Sequence, residues 1–174
     1  MKKIILTYGL IAGLICMSFM IVSTIVWKST GHSNQSMIIG FTGMFIAFIF
    51  VFVGIKNYRD KHNGGSVTFW NAFKIGFFIA LIASSIYTAV WLIEMHFFMP
   101  DFMEKYAATE IEKIKSSALS AAEIAEKVAE MESMRESYKN PIVRILYTLM
   151  EILPIGIIIA LVSALILKRN PRVA

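Results

Sequence analysis

Four stretches of this chain stay apolar for the length of a membrane span, and this limits the fold more than any other feature. They are IILTYGLIAGLICMSFMIVSTIVW (residues 4–27), MIIGFTGMFIAFIFVFVGI (37–55), AFKIGFFIALIASSIYTAVWLI (72–93) and IVRILYTLMEILPIGIIIALVSALIL (142–167). A helix needs about 20 apolar residues to cross a hydrocarbon core of about 30 Å. The blocks are apolar all round, not along one stripe, so they do not read as amphipathic surface helices. In lipid every backbone N–H and C=O must be satisfied internally, which a single α-helix does on its own. Hydrophobic residues make up 57% of the 174, above the roughly 45–50% of ordinary globular domains. The expected fold is an all-α integral membrane protein with four transmembrane helices in one membrane domain, 1–174.

The start, MKK followed by apolar residues, has the outline of a signal peptide. Its apolar run exceeds the ~7–15 residues of a signal-peptide core, and no small-x-small cleavage site follows. Ile15 precedes Cys16 where a lipoprotein signal wants a small side chain. The one cysteine lies mid-span and cannot form an intrachain disulfide. It is expected to pack as a small apolar residue.

Cations favour the cytoplasmic face of a membrane protein, and short loops count most. Lys2, Lys3, Lys56, Arg59, Lys61, Lys74, Lys168, Arg169 and Arg172 fall on one side of the expected spans, with Asp60 as the sole acid there. Lys28 and the long polar segment after Ile93 fall on the other. Both termini are therefore expected in the cytoplasm, and 94–141 outside it. Trp27 and Trp91 at the outer span ends, and Tyr58 and Trp70 at the inner boundary, fit an interfacial aromatic belt. The net charge of +5 reads as a topology signal with some attraction to anionic lipid heads, not as a nucleic-acid footprint.

Residues 94–141 are polar but are not linker-like. Pro100 and Pro141 bracket a region rich in helix formers. Met103, Ala107, Ile111, Ile114 and Ala118, with Tyr106 beside them, recur at steps of three and four. Asp101, after Pro100, is positioned to cap this arm. The SAAE stretch, Ser120 to Glu123, is a capping-box pattern. It opens a second arm with Ala121, Ile124, Val128, Met131 and Tyr138 on one stripe, and Glu123–Lys127 as a favourable pair. A straight helix from 101 to 138 would be roughly 57 Å long, yet the flanking spans must return to one bundle. The expectation is an extracytoplasmic helical hairpin that folds back near Ser116–Ser120. Its stripes would face each other, or one would meet lipid or a partner.

Small residues recur every four positions in the spans: Gly9 and Gly13, Gly43 and Ala47, Gly76 and Ala80, Gly156 and Ala160. Such rows let helices approach closely in lipid, either within the bundle or between copies. Lys74 is near enough to a span end to snorkel. Glu151 is not, since it lies some nine residues into the fourth span. An acid there is a functional hypothesis by default, as a proton or cation site or a partner contact. It also reads as an acid tolerated at a helix bend, because Pro154 deprives the Met150 carbonyl of its usual donor. Arg144, two turns earlier, or an outer-loop residue is its expected partner. At the outer boundary, Glu94, His96 and Asp101 are polar candidates, but Glu94 and His96 lack helical metal-ligand spacing. No hydrolase, metalloprotease or P-loop motif occurs, and Ser84–Ser85 have no histidine in the spans to activate them. No metal, cofactor or nucleic acid is expected.

Four pieces in their order and spacing carry a family resemblance: KKIILTYGLIAG, VGIKNYRDKHNGGSVTFWNAFKIG, FFMPDFMEKY and EILPIGIIIALVSALILKR. On them the chain resembles the bacterial membrane proteins grouped as domain of unknown function 4199, over nearly its full length. The resemblance implies a small multi-pass inner-membrane protein, mostly of Bacteroidetes-like bacteria. It implies no activity or catalytic residues. It does make FFMPDF and EILP look like family features, which groups Glu94, Asp101 and Glu151 for testing. The functional expectation is a non-enzymatic protein of the bacterial cytoplasmic membrane. It would act through contacts of its bundle and hairpin with lipid, a membrane-protein partner or its own copies. The alternative is a small transporter or ion-conducting oligomer that uses Glu151.

Overall fold

The computed structural model of the protein describes residues 1–30 and 33–169, apart from the side chains of 30 and 33–37. Arg172, counted among the cations above, lies outside the described residues, as does His32. The α-helices are α1 (Lys2–Thr30), α2 (Ser33–Asn57), α3 (Phe69–Phe97), α4 (Phe102–Lys115), α5 (Ala121–Ser137) and α6 (Pro141–Leu167). A π-helical turn, Tyr58–His62, continues α2. Among the described residues there is no strand, and the sole β pairing is an isolated antiparallel bridge between Val67 and Arg169. By length and composition α1, α2, α3 and α6 can each cross a membrane. They overrun the apolar blocks. α3, for instance, takes in Phe69–Asn71 before its block and Glu94–Phe97 after it, since polar residues at a span end do not stop a helix.

The chain divides into two compact units. The first comprises Met1–Val90 and the chain from Leu149 onward. Its long helices alternate in direction. Gly9 and Gly13 of α1 meet Ile82 and Ile86 of α3 in the same order, so those two run parallel. Gly76 and Ala80 of α3 meet Ala160 and Gly156 of α6 in reverse order, so those run antiparallel. Gly43 of α2 faces Phe19 of α1, and Gly54 faces Tyr8, which makes that pair antiparallel too.

The small residues are what let these helices approach. A Cβ on Gly76 would stand 2.9 Å from the Ala160 Cβ, and one on Gly156 would stand 2.7 Å from the Ala80 Cβ. A Cβ on Gly9 would stand 2.8 Å from the Ile82 Cβ. Large side chains fill the remaining interior, with Met44, Phe48, Val51, Ile55, Ile75, Ile79 and Ile152 fully buried. The outer faces are just as apolar: Leu6, Leu10, Leu14, Phe45, Ile49, Ile158 and Leu165 are exposed. Inside differs from outside in size and fit rather than polarity. That is expected where packing, not hydrophobicity, holds helices together.

The second unit is Trp91–Thr148. Within it α4 and α5 pack against each other as a helical hairpin, turning over residues 116–120. Met95, Met103 and Tyr138 form its core, with Trp91, Phe102, Tyr106, Met131 and Met134 packed around them. Ile111 and Ile114 on α4, and Ile124 and Val128 on α5, continue the stripe half-buried. Ala118 and Ala121 are exposed. α4 ends at Lys115, so Ala118 falls in the turn and leaves the helical face its spacing predicted.

The start of α5 is set by its capping box. The Ser120 backbone N–H donates to Glu123 Oε2 at 2.9 Å, and Ser120 Oγ accepts from the Glu123 N–H at 3.4 Å. These bonds use donors that a helix start leaves orphaned. Asp101 does occupy the N-cap position of α4, but its side chain makes no capping bond. It lies 3.9 Å from Lys105 instead. Glu123 is held by Ser120, with Lys127 contributing through its field.

Candidate functional site

The polar residues singled out above fall into separate environments. On α6, Ile152, Gly156, Ala160, Ser163 and Ala164 turn inward and are buried. Met150, Glu151, Pro154, Ile158, Leu161 and Leu165 turn outward. Glu151 thus stands on an apolar outer face, beside a Met150 that is 73% exposed. Helix α6 runs on through Pro154, which has no N–H to offer the Met150 carbonyl. Among the described residues Glu151 makes no ion pair and no side-chain hydrogen bond.

Other hydroxyls on the long helices behave differently. Ser18, Thr42, Ser85 and Thr88 each donate to the carbonyl four residues back, at 2.7–2.9 Å. A hydroxyl can be silenced by its own helix in this way. A carboxylate, which only accepts when ionised, has no such recourse.

Arg144 does not serve as the partner proposed for Glu151 on sequence grounds. Its Nε and Nη2 donate to the Tyr138 carbonyl at 3.3 and 3.2 Å, and its guanidinium carbon lies 5.4 Å from the centroid of the Tyr138 ring. Tyr138 is the C-cap of α5. The arginine therefore satisfies a carbonyl that the helix end leaves without a donor, and it adds positive charge at the negative dipole end.

The Tyr138 hydroxyl accepts from Trp91 Nε1 at 2.8 Å. The Trp91 ring meets Phe102 edge to face, and Phe102 stacks on Tyr106. One tyrosine thus ties the end of α3, the end of α5 and the start of α6 into one cluster. By periodicity Tyr138 belongs to an apolar stripe, and by position Trp91 belongs to an interfacial belt. No local pattern signals a bond between residues 47 positions apart.

At the end of α3, Glu94 is buried, and its carbonyl accepts from the N–H groups of Phe98 and Met99 at 2.8 and 2.9 Å. His96 is exposed with its ring edge-on to Phe97, and Asp101 is exposed. Among the described residues no three His, Cys, Asp or Glu side chains form a group able to hold a metal ion.

Along the hairpin, the Glu104–Arg135 pair at 3.3 Å joins α4 to α5. The Glu123 carboxyl is held below its ordinary range, first by the Ser120 hydroxyl and then by the Ser120 backbone N–H. The outward residues of α5, among them Ala122, Ala125, Glu126, Lys127, Ala129, Glu130 and Ser133, are small or polar.

These features define an all-helical protein with four membrane-span-like helices and a second, polar helical unit inserted in the chain between the third and fourth. The chain belongs to the family described as "Protein of unknown function (DUF4199)", whose model matches residues 7–169. No curated protein and no solved structure matches it.

Proposed function

We propose that this is a multi-pass protein of the bacterial cytoplasmic membrane whose hairpin, α4–α5, is an extracytoplasmic platform for a membrane-protein partner. In this reading both termini are cytoplasmic and the protein works through contacts rather than catalysis. The observation that carries it is the construction of the hairpin. It has its own methionine–aromatic core, its own capping box and a small or polar outer face. A segment built to be rigid and water-facing suits recognition better than it suits tethering two spans, for which a short loop would do. The clustering of cations in the other loops supports the orientation.

Crosslinking from Lys127 in intact membranes tests the reading. A discrete heterologous product, lost when the neighbouring outward residues Glu126 and Glu130 are changed to lysine with Lys127 kept, is the expected result. Recovery of the protein alone, unchanged by those substitutions, counts against it.

A second reading follows from Glu151, which faces outward from its own chain and has no side-chain partner among the described residues. In an oligomer it would line the seam between copies and could carry protons or cations. Proteoliposomes holding wild type or Glu151→Gln decide this: a flux present in the first and lost in the second is expected. Equal or absent flux in both removes the idea.

A further inference from the structure

The π-helical turn and the end of α6 are far apart in sequence but are fixed together in the first unit. The chain leaves α2 through Tyr58–His62 and reverses over Gly64 and Gly65, whose φ of 59° and 76° favour glycine. The reversal is held internally. Gly65 N–H donates to the Arg59 carbonyl at 2.8 Å, and Asn63 Nδ2 donates to the Ser66 carbonyl at 2.7 Å. Val67 is thereby brought back, buried, to exchange backbone hydrogen bonds with Arg169 at 2.9 and 2.8 Å. Arg59 adds a bond from Nη1 to the Leu167 carbonyl at 3.4 Å.

This construction gathers charge. Arg59 is paired with Asp60 through two contacts, at 2.6 and 3.1 Å. Lys56 and Arg169 also interact with the Asp60 carboxylate through space, so cations from α2 and from beyond α6 surround one acid. Lys56, Lys61, Lys168 and Arg169 are all exposed. Asp60 is shared and largely engaged by Arg59, which leaves the place strongly positive. Trp70, 66% exposed at the start of α3, is the kind of side chain that settles at the headgroup level.

We propose that Lys56 and Arg169 form a site for the phosphate of an anionic phospholipid headgroup, prearranged by the Val67–Arg169 bridge. The inference rests on the membrane-spanning reading, which puts the ends of α2 and α6 at a lipid surface. A phosphate oxygen accepts charge-assisted hydrogen bonds from such ammonium and guanidinium groups. A headgroup is held at that level by its acyl chains, against the exposed apolar faces of the same helices. A diffuse topology signal would not need a loop closed on the end of α6. A binding site does, because its charges must converge on one group.

The test uses the full chain reconstituted in nanodiscs of phosphatidylcholine, with or without phosphatidylglycerol, read by native mass spectrometry and by thermal unfolding. Wild type is expected to retain phosphatidylglycerol preferentially and to unfold at higher temperature when it is present. Lys56→Gln with Arg169→Gln should weaken the preference by about five-fold for each cation removed. Lys56→Arg should keep it, and so should Lys127→Gln with Lys139→Gln in the hairpin, which controls for net charge. An equal preference in wild type and the Lys56/Arg169 variant overturns the site. So does a shift of the same size from inorganic phosphate added to phosphatidylcholine discs. Should the chain fail to enter bilayers at all, the spanning reading falls, and the site falls with it.

Discussion

The two units of this protein solve the same problem, holding helices together, with opposite materials. In the first, helices meet through Gly9, Gly76, Ala80, Gly156 and Ala160, whose lack of bulk lets backbones approach. Both the inside and the outside of that unit are apolar. In the second, helices meet through Met103, Met131, Trp91 and Tyr138, and the outward residues of the hairpin helices α4 and α5 are mostly small or polar. The first needs fit because its outer faces are as apolar as its core. The second draws on the hydrophobic effect and on a few directional bonds, as soluble proteins do. Substitutions should separate the two, because each is vulnerable to a change the other would tolerate.

The largest effect is expected from Tyr138→Ala. It removes a buried aromatic, the acceptor for Trp91 Nε1 and the ring under Arg144, and large-to-small changes of this kind cost about 3–5 kcal/mol. Limited proteolysis should then cut within 101–139 while the long helices remain protected; simultaneous loss of both would deny the units their independence. Gly76→Val is the converse. Its side chain would meet Ala160, Ile55 and Val51, and overpacking typically costs about 1–3 kcal/mol. Thermal unfolding in detergent should drop, with the hairpin's protease resistance unchanged.

A smaller effect is expected from Ser120→Ala, about 1 kcal/mol for a lost cap. It should appear as faster hydrogen exchange in the first turn of α5. The partnered Glu123 gives this turn a pH dependence. Its carboxyl is depressed in the folded chain, so the stabilisation is fully present above the ordinary carboxylate range. It is lost as pH falls through the lowered folded value. Hydrogen exchange of α5 should therefore resist moderate acid in wild type, and Ser120→Ala should weaken that acid dependence without abolishing it, because the backbone N–H of residue 120 still donates to Glu123. Least of all, Arg135→Gln should change hairpin stability by at most about 0.5 kcal/mol, since its pair with Glu104 is well exposed.

The contrast also explains what could be read from sequence. Spans were legible because twenty apolar residues have few other uses. The fold-back near residue 118 was legible because Ser120 and Glu123 cap each other at a spacing of three. The roles of Arg144 and Tyr138 were not. Arg144 shares a helix with Glu151, and proximity in sequence suggested a pair, whereas the guanidinium finds a carbonyl at the end of α5. Asp101 had the right residue type for a cap but forms none. The meeting of Val67 with Arg169 had no local signature, because it depends on a turn through two glycines and on where α6 happens to end. Local periodicity and capping write themselves into neighbouring residues, and long-range bonds do not.

The central claim is that the polar hairpin and the basic loop lie on opposite sides of a membrane. Single cysteines at Lys127→Cys and Lys61→Cys, in a Cys16→Ala background, can be challenged with a membrane-impermeant maleimide in intact cells. The account predicts labelling of the first without permeabilisation and of the second only after it. Labelling of both from the same side would contradict it.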